Sequence, residues 1–319
     1  MKIGVLTSGG DAPGMNAAVR AVVRSAIVDG MEVVGIKRGF AGIFDEDFVT
    51  MDSRSVAGIL TLGGTKLHTA RCMEFYEEEY QKKAADILRK HGIEGLVVIG
   101  GDGSFCGAAA LSRLGIKVVG VPATIDMDIA CTDYTIGFDT AINTAMDAID
   151  KIRDSSAAHE RCAIIEVMGR HAGYIALYSA IATGAEDVLL PENNGYDEEE
   201  IINRILENRS KGKSLHMIIN AEGVGDSVAL AGRIEAKTGI ETRATLLGHM
   251  QRGGHPTCKD RVYASMMGVK AALLLKEGKT NRVVAYRGGE YVDLDINEAL
   301  AMSKELSKDM LETSRRLIR

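Results

Sequence analysis

The chain has 319 residues, 46% hydrophobic and 26% charged, with a formal net charge of −6. That length suits about two domains with a sizeable core, and scattered Lys and Arg leave no basic stripe of the kind that grips nucleic acid. No apolar run approaches the ~18 residues that span a membrane, and the opening MKIGVLTSGG reads as a strand, not a leader.

The cysteines (Cys72, Cys106, Cys131, Cys162 and Cys258) are odd in number and lack CxxC spacing. Free thiols in a reducing cytoplasm are expected, not structural zinc or a disulfide frame. The glycines fall in short punctuating clusters, as tight strand-to-helix turns require.

In chain order, KIGVLTS predicts a strand and GGDAPG a turn. Val19, Val22, Val23 and Ile27 then share one helical face. MEVVGIK is the next strand. EGLVVIGGDGS is a continuous apolar run ending in glycines, and KVVGVPATID repeats the plan after a short helix. Such runs imply strands buried on both faces, hence a parallel sheet covered by helices. Ile142, Met146, Ile149 and Ile152 stripe a further helix. The strands CAIIEVMG, DVLL and LHMIINAEG alternate with the helices HAGYIALYSAIATG and EEEIINRILENRS. A late helix, RVYASMMGVKAALLLKEG, precedes RVVAYRGGEYVDLDI and a polar C-terminal helix. The expected fold is α/β of the doubly wound kind, whose ligands sit beyond the carboxyl ends of the strands. Composition marks no domain boundary.

Three loops follow apolar strands: SGGDAPGMN (8–16), IGGDGSFCG (99–107) and PATIDMDIACTD (122–133). In a parallel sheet they emerge at one edge. Glycine loops running into helices let backbone N–H groups approach phosphate, although such glycines also make plain tight turns. No GxxxxGK[ST] is present, and GDGSFC (101–106) only approximates GxGxxG, with Cys106 in place of the last glycine. A nicotinamide-dependent oxidoreductase is therefore poorly supported. Asp102 lies inside its loop, where it would repel a pyrophosphate unless Mg²⁺ stood between them. If KVVGVPATID stays extended to residue 128, Thr124, Asp126 and Asp128 face one way and Met127 packs behind. Asp126 can then serve as base, with Asp128 and Asp102 holding Mg²⁺; Asp133 is the alternative active carboxylate.

The ordered motifs GVLTSGGDAPGMNAA, TARC, GLVVIGGDGS, TIDMDIACTDYTIGFDTA, VMGRHAG, AEGV and ETRATLLGHMQRGG closely resemble the bacterial ATP-dependent 6-phosphofructokinases. The resemblance covers nearly the whole chain. It implies two doubly wound three-layer α/β/α domains with mostly parallel sheets. The larger, ATP-binding one would take 1–137 plus 251–301, and the smaller, sugar-phosphate-binding one 138–250 plus 302–319. It implies Mg²⁺-assisted transfer from ATP as co-substrate to the 1-hydroxyl of fructose 6-phosphate. It also implies a cytoplasmic homotetramer with active and effector sites at subunit interfaces, and effectors such as ADP or GDP and phosphoenolpyruvate.

Carried onto this chain, the resemblance implies a catalytic set of Asp126, Thr124, Arg71 and Arg170. It places ATP against Gly10, Arg71, Cys72, Gly101, Asp102, Gly103, Ser104 and Gly107, with Asp102 and Asp128 for the metal. The sugar phosphate would meet Thr124, Asp126, Asp128, Met168, Gly169, Arg170, Glu222, His249 and Arg252, and Arg161 and Arg243 would reach in from a neighbouring subunit. Guanidinium forks suit a phosphate dianion. The effector set would be Arg20, Arg24, Arg153, Gly184, Glu186, Lys211 and Lys213. Arg20 and Arg24, at i,i+4, share one helix face.

Gly103 and Ala123 stand where pyrophosphate-using relatives carry an acid and a lysine, which favours ATP. Pyrophosphate dependence is the alternative within this fold. Departures from the family pattern are Met127 in place of Asn, Ser214-Leu215 in place of Lys-His, and an effector arginine displaced from near residue 53 to Arg54. Met127 beside the expected base also leaves open a nucleotide-sensing homologue with impaired turnover.

Overall fold

The structure of the protein is a computed structural model that describes residues 1–193 and 195–317. The chain divides into two compact units, Met1–Thr140 with Arg252–Lys304 and Ala141–Gln251 with Glu305–Arg319.

The first unit begins with β1 (Lys2–Thr7), α1 (Met15–Val28), β2 (Glu32–Ile36), α2 (Ala41–Phe44) and β3 (Phe48–Met51). It continues through α3 (Glu78–Lys90), β4 (Gly95–Gly100), α4 (Asp102–Arg113) and β5 (Lys117–Pro122). Helix α5 (Phe138–Ala158) carries the chain into the second unit. There follow β6 (Cys162–Val167), α6 (Tyr174–Thr183), β7 (Asp187–Leu189), α7 (Glu198–Ser210), β8 (His216–Ala221), α8 (Ser227–Thr238) and β9 (Thr242–Leu246). The first unit is completed by α9 (Cys258–Lys276), β10 (Arg282–Arg287), β11 (Glu290–Asp295) and α10 (Ile296–Leu300), and the second by α11 (Lys308–Leu317).

The larger sheet has the order β11-β10-β5-β4-β1-β2-β3. Its five inner strands are parallel, and β3 and β11 close the two edges antiparallel. Leu6, Ile36, Leu96, Val98 and Val118 point to one face and pack with Ala84, Leu88, Phe105 and Leu111 of α3 and α4. Strand alternation sends Val5, Val97, Ile99 and Val119 to the other face, where α1 and α9 pack together and against β4. Burial on both faces is what continuous apolar strands require. The smaller sheet, β7-β8-β6-β9, is parallel throughout. Side chains of Asp197, Asp226, Thr257 and Asp295 cap α7, α8, α9 and α10 by accepting first-turn N–H groups. Gly288 and Gly289, both at positive φ, turn β10 into β11, as a two-residue hairpin demands.

The strand KVVGVPATID does not stay extended. β5 ends at Pro122, and residues 125–126 form a turn. The cysteines are all free thiols. Among the described residues no helix is long and apolar enough to cross a membrane.

Candidate active site

β1, β4 and β5 are adjacent and parallel, so the loops after them reach one edge of the larger sheet. Backbone bonds seam the loops together: the N–H of Ser8 donates to Ile99 O at 2.9 Å, and that of Ala123 to Gly100 O at 2.9 Å. Gly100 sits at the seam, where a Cβ would lie 2.5 Å from Ser8 O and closer still to the Ser104 hydroxyl. Gly101 and Gly103 are different: a Cβ at either would meet nothing within 4 Å. Packing does not demand those two glycines. They leave open floor at the start of α4, which has no side-chain cap and whose first N–H groups can meet an anion.

Asp102 opens α4 on that floor. Burial first, and the nearby Asp128 carboxylate second, push its pKa up to about 6. Two carboxylates in each other's field beside open space fit a divalent cation that takes its remaining ligands from phosphate oxygens and water. Among the described residues no group of three or more acidic, His or Cys side chains forms a metal cage.

Asp126 is 2% exposed. Its N–H donates to Thr124 Oγ1 at 3.1 Å, so a side-chain turn orients it, not strand alternation. Met127 follows at φ 59°, in the left-handed region, and is 6% exposed. Its sulfur accepts the Thr135 hydroxyl at 3.6 Å. Met127 therefore does pack inward, but by a reversal of the backbone that also leaves Asp128 exposed. Asp133 is tied elsewhere: its carboxylate accepts Gly288 N–H at 2.9 Å and its own N–H donates to Tyr286 O at 2.8 Å. These bonds make it an anchor on the β10–β11 hairpin.

The first loop carries Gly10. A Cβ there would lie 2.7 Å from Nη1 of Arg252, which donates to Asp11 O at 3.0 Å. Arg252 thus rests on the glycine loop of its own unit, and His249 is exposed. Arg71 is exposed and Cys72 half-buried, its thiol pKa raised chiefly by burial. Ser104 is buried. Gly107 lies under the stacked rings of Phe40 and Phe75, 4.2 Å between centroids, and a Cβ would come within 2.7 Å of Phe40. Its glycine answers to that packing.

In the second unit, Glu222 follows β8 and reaches the loop after β6. One of its oxygens accepts Gly169 N–H at 3.2 Å and Arg170 N–H at 2.7 Å. Met168 N–H donates to Gln251 at 3.3 Å. Gly169 has φ 140°, and a Cβ would collide with Ala172 O. The loop Met168–Gly169–Arg170 is so held with Arg170 exposed. Arg161 and Arg243 both pair with Glu241, at 2.7 and 2.5 Å.

Of the expected effector residues, Arg153, Gly184, Glu186 and Lys213 gather in the second unit. Arg153 donates to Thr183 O and, at 3.4 Å, to Met217 Sδ. Glu186 accepts Met217 N–H at 2.6 Å and pairs with Lys213 at 2.6 Å. Gly184 is the left-handed cap of α6. Lys211 turns to Glu207 on α7, and Arg20 and Arg24 lie on α1 in the first unit.

Several organising residues carry no motif of their own. Phe40 and Phe75 are single aromatics. Asp260 is fully buried and accepts from Tyr134, Gly137 and Thr140. The T-x-x-D spacing of Thr257 and Asp260 at a helix start is the one signal that points to it. Lys304 lies far along the chain from the loop it touches.

The fold is doubly wound α/β, and comparison with known proteins gives its class, a phosphotransferase. The family model for phosphofructokinase matches residues 2–275, and the chain belongs to that family. It is 56% identical over 311 residues to the ATP-dependent 6-phosphofructokinase 1 of Clostridium perfringens, covering 98% of this chain and 97% of that protein. It is also 56% identical over 315 residues to the ATP-dependent 6-phosphofructokinase of Clostridium acetobutylicum, covering 99% and 98%. Among solved structures, phosphofructokinase from Saccharomyces cerevisiae superposes with TM-score 0.87 at 33% identity, over 99% of this chain and 48% of the yeast chain. This chain thus spans about half of that longer one. A pyrophosphate-dependent phosphofructokinase from Marinobacter aquaeolei, 20% identical over 99% of this chain and 91% of its own, shares the fold with TM-score 0.88.

Proposed function

We propose that the chain is an ATP-dependent 6-phosphofructokinase, which transfers the γ-phosphoryl group of ATP to the 1-hydroxyl of fructose 6-phosphate in glycolysis. The observation that carries this is the acid arrangement of the first unit: a nearly buried Asp126 fixed in its turn, and the Asp102–Asp128 pair over open floor. The names of the close relatives agree with it.

In this reading Asp126 takes the proton of the attacking hydroxyl, and Thr124 holds it in position. Asp102 and Asp128 would hold Mg²⁺, which when bound offsets charge on the phosphate oxygens. The open floor at Gly101 and Gly103 admits the phosphates of ATP, with Gly10, Arg71, Cys72, Ser104 and Gly107 around the nucleotide. An acid at position 103 would crowd and repel the α-phosphate, so the glycine favours ATP over pyrophosphate. Met168, Gly169, Arg170, Glu222, His249 and Arg252 are the residues assigned to the sugar phosphate. The Glu222 oxygen not engaged by the loop suits a sugar hydroxyl. Arg71 and Arg170 stabilise charge on the moving phosphoryl group. Arg161 and Arg243 act on a neighbouring copy in a cytoplasmic homotetramer. Arg153, Gly184, Glu186, Lys211 and Lys213, with Arg20 and Arg24, receive an ADP- or GDP-like activator or phosphoenolpyruvate.

The test is purified protein with ATP, Mg²⁺ and fructose 6-phosphate, ADP release being measured, beside pyrophosphate as donor. Asp126→Ser should keep ATP binding and lose ~10²–10⁴-fold in turnover, the range a positioned base contributes. ATP binding without ADP release from the parent protein would replace this reading with a nucleotide sensor.

A further inference from the structure

Lys304 follows α10 as the last residue of the first unit and belongs to none of the residue sets above. Its Nζ donates to Met127 O at 3.1 Å and to Thr132 O at 3.0 Å. Those two carbonyls bracket the segment that carries Asp128 and directly follows Asp126. The far end of the segment is anchored to the sheet. Thr132 Oγ1 accepts Tyr286 N–H at 3.0 Å, and Asp133 accepts Gly288 N–H. At the near end Met127 occupies the left-handed region without being glycine, and such a conformation persists only where its surroundings impose it.

The lysine ties the strained end to the anchored one. Its side chain is half-buried, and the groups facing it include the carboxylates of Asp133 and Asp128 and the thiol of Cys131. Burial lowers its pKa while those neighbours raise it. A hydrogen-bonded ammonium suits two carbonyls and two acids at once, because it donates three bonds from a point charge.

We propose that Lys304 is a positioning residue for the phosphoryl transfer: by clamping the carbonyls of Met127 and Thr132 it holds Asp126 and Asp128 in register. The inference rests on the function proposed above. It is tested with the full chain carrying Lys304→Met, which keeps the stem and removes the ammonium, and Lys304→Arg, which restores charge. Two quantities are read: amide hydrogen exchange over residues 125–133 and steady-state kinetics.

Exchange in that segment should rise at least about tenfold in the methionine variant, with β1 and β4 unchanged, since only a local opening is released. Its kcat should fall about 10- to 100-fold, as expected for a base displaced by a fraction of an ångström. KM for ATP should rise by less than kcat falls, because Asp102 and the Gly101–Gly103 floor lie outside the clamped segment and still receive the nucleotide. The arginine variant should recover part of both losses. Parental exchange in the segment would overturn the proposal, as would a rise spread evenly over β1 and β4, or a kcat loss that arginine leaves unrelieved. A parent that transfers no phosphoryl group would sink the proposed function instead, and exchange would still decide whether Lys304 clamps the turn.

Discussion

Met127 shows how one residue can satisfy packing and offend the backbone together. A left-handed conformation costs an L-residue roughly 1–2 kcal/mol, and Asn tolerates it better than Met. Burying a Met side chain contributes about 1.5–3 kcal/mol, and Met127 is nearly buried. Burial outweighs the strain, so Met127→Asn should lower stability by about 1 kcal/mol despite the relieved backbone. Because the side chain is buried against Thr135, kcat should stay within about threefold, the change being one of packing. Chemical denaturation and steady-state assays of the two proteins check both parts. Asp102 makes a second case. The ordinary pKa of its carboxyl is 3.8, and in the folded chain it is pushed up to about 6. Between those values the folded chain keeps a proton that the unfolded chain has released. The stability so gained is complete below the lower value and is lost as pH rises through the upper one. Asp102→Asn should therefore raise the melting temperature relative to the parent at pH 7 and not at pH 4, in metal-free buffer. A difference between the two proteins that does not vary with pH would mean that the Asp128 field and burial do not act on Asp102.

At the scale of elements, the two kinds of glycine around α4 separate fold from function. Gly100 is required by the seam between loops, so Gly100→Ala should cost about 1–3 kcal/mol as overpacking. Gly103 sits in the first turn of α4 with open space at its Cβ position. Alanine there should stabilise the ligand-free chain by about 0.5–1 kcal/mol and still weaken ATP binding, since the methyl group stands on the phosphate floor. Calorimetry of the variant with and without nucleotide reads both signs. The same contrast explains which elements are legible in the sequence. The strands β1, β2, β4, β5, β6 and β8 are each built on an apolar run and announce themselves. β3 is four residues long at an antiparallel edge, and β9, TRATL, alternates with polar residues at the other sheet's edge; neither has a run to detect. The turn at Asp126 escapes a periodicity argument for a related reason. Its direction is set by the Thr124 hydroxyl and by Lys304, and strand alternation takes no account of either. The Thr124 bond is a local turn that breaks the alternation, and the Lys304 contact spans 177 residues and leaves no local periodicity to find.

At the scale of the whole molecule, the arginines of the second unit state the sharpest expectation. Arg161 and Arg243 converge on Glu241, and Arg161 first, then Arg243, hold its carboxyl below its usual range. Arg243 is exposed, and Glu241 and Arg161 are only partly covered. Solvent screens such pairs and they contribute little to stability, so a phosphate dianion can draw both guanidinium groups away at small cost. In the proposed homotetramer the dianion would belong to another copy, which makes each active site a joint product of two chains. Asp126→Ser and Arg243→Ser chains would then each be nearly inactive alone. Unfolded together in equal amounts and refolded, they should regain about a quarter of the parental activity, because random assembly pairs an intact Asp126 with a neighbour's intact Arg243 at that frequency. The recovered sites should show the parental KM for fructose 6-phosphate, since nothing in them is altered. Refolded mixtures no more active than the two variants measured separately would place Arg243 in the same chain as the base it serves, or outside the site altogether, and KM of the Arg243→Ser protein for fructose 6-phosphate distinguishes those outcomes.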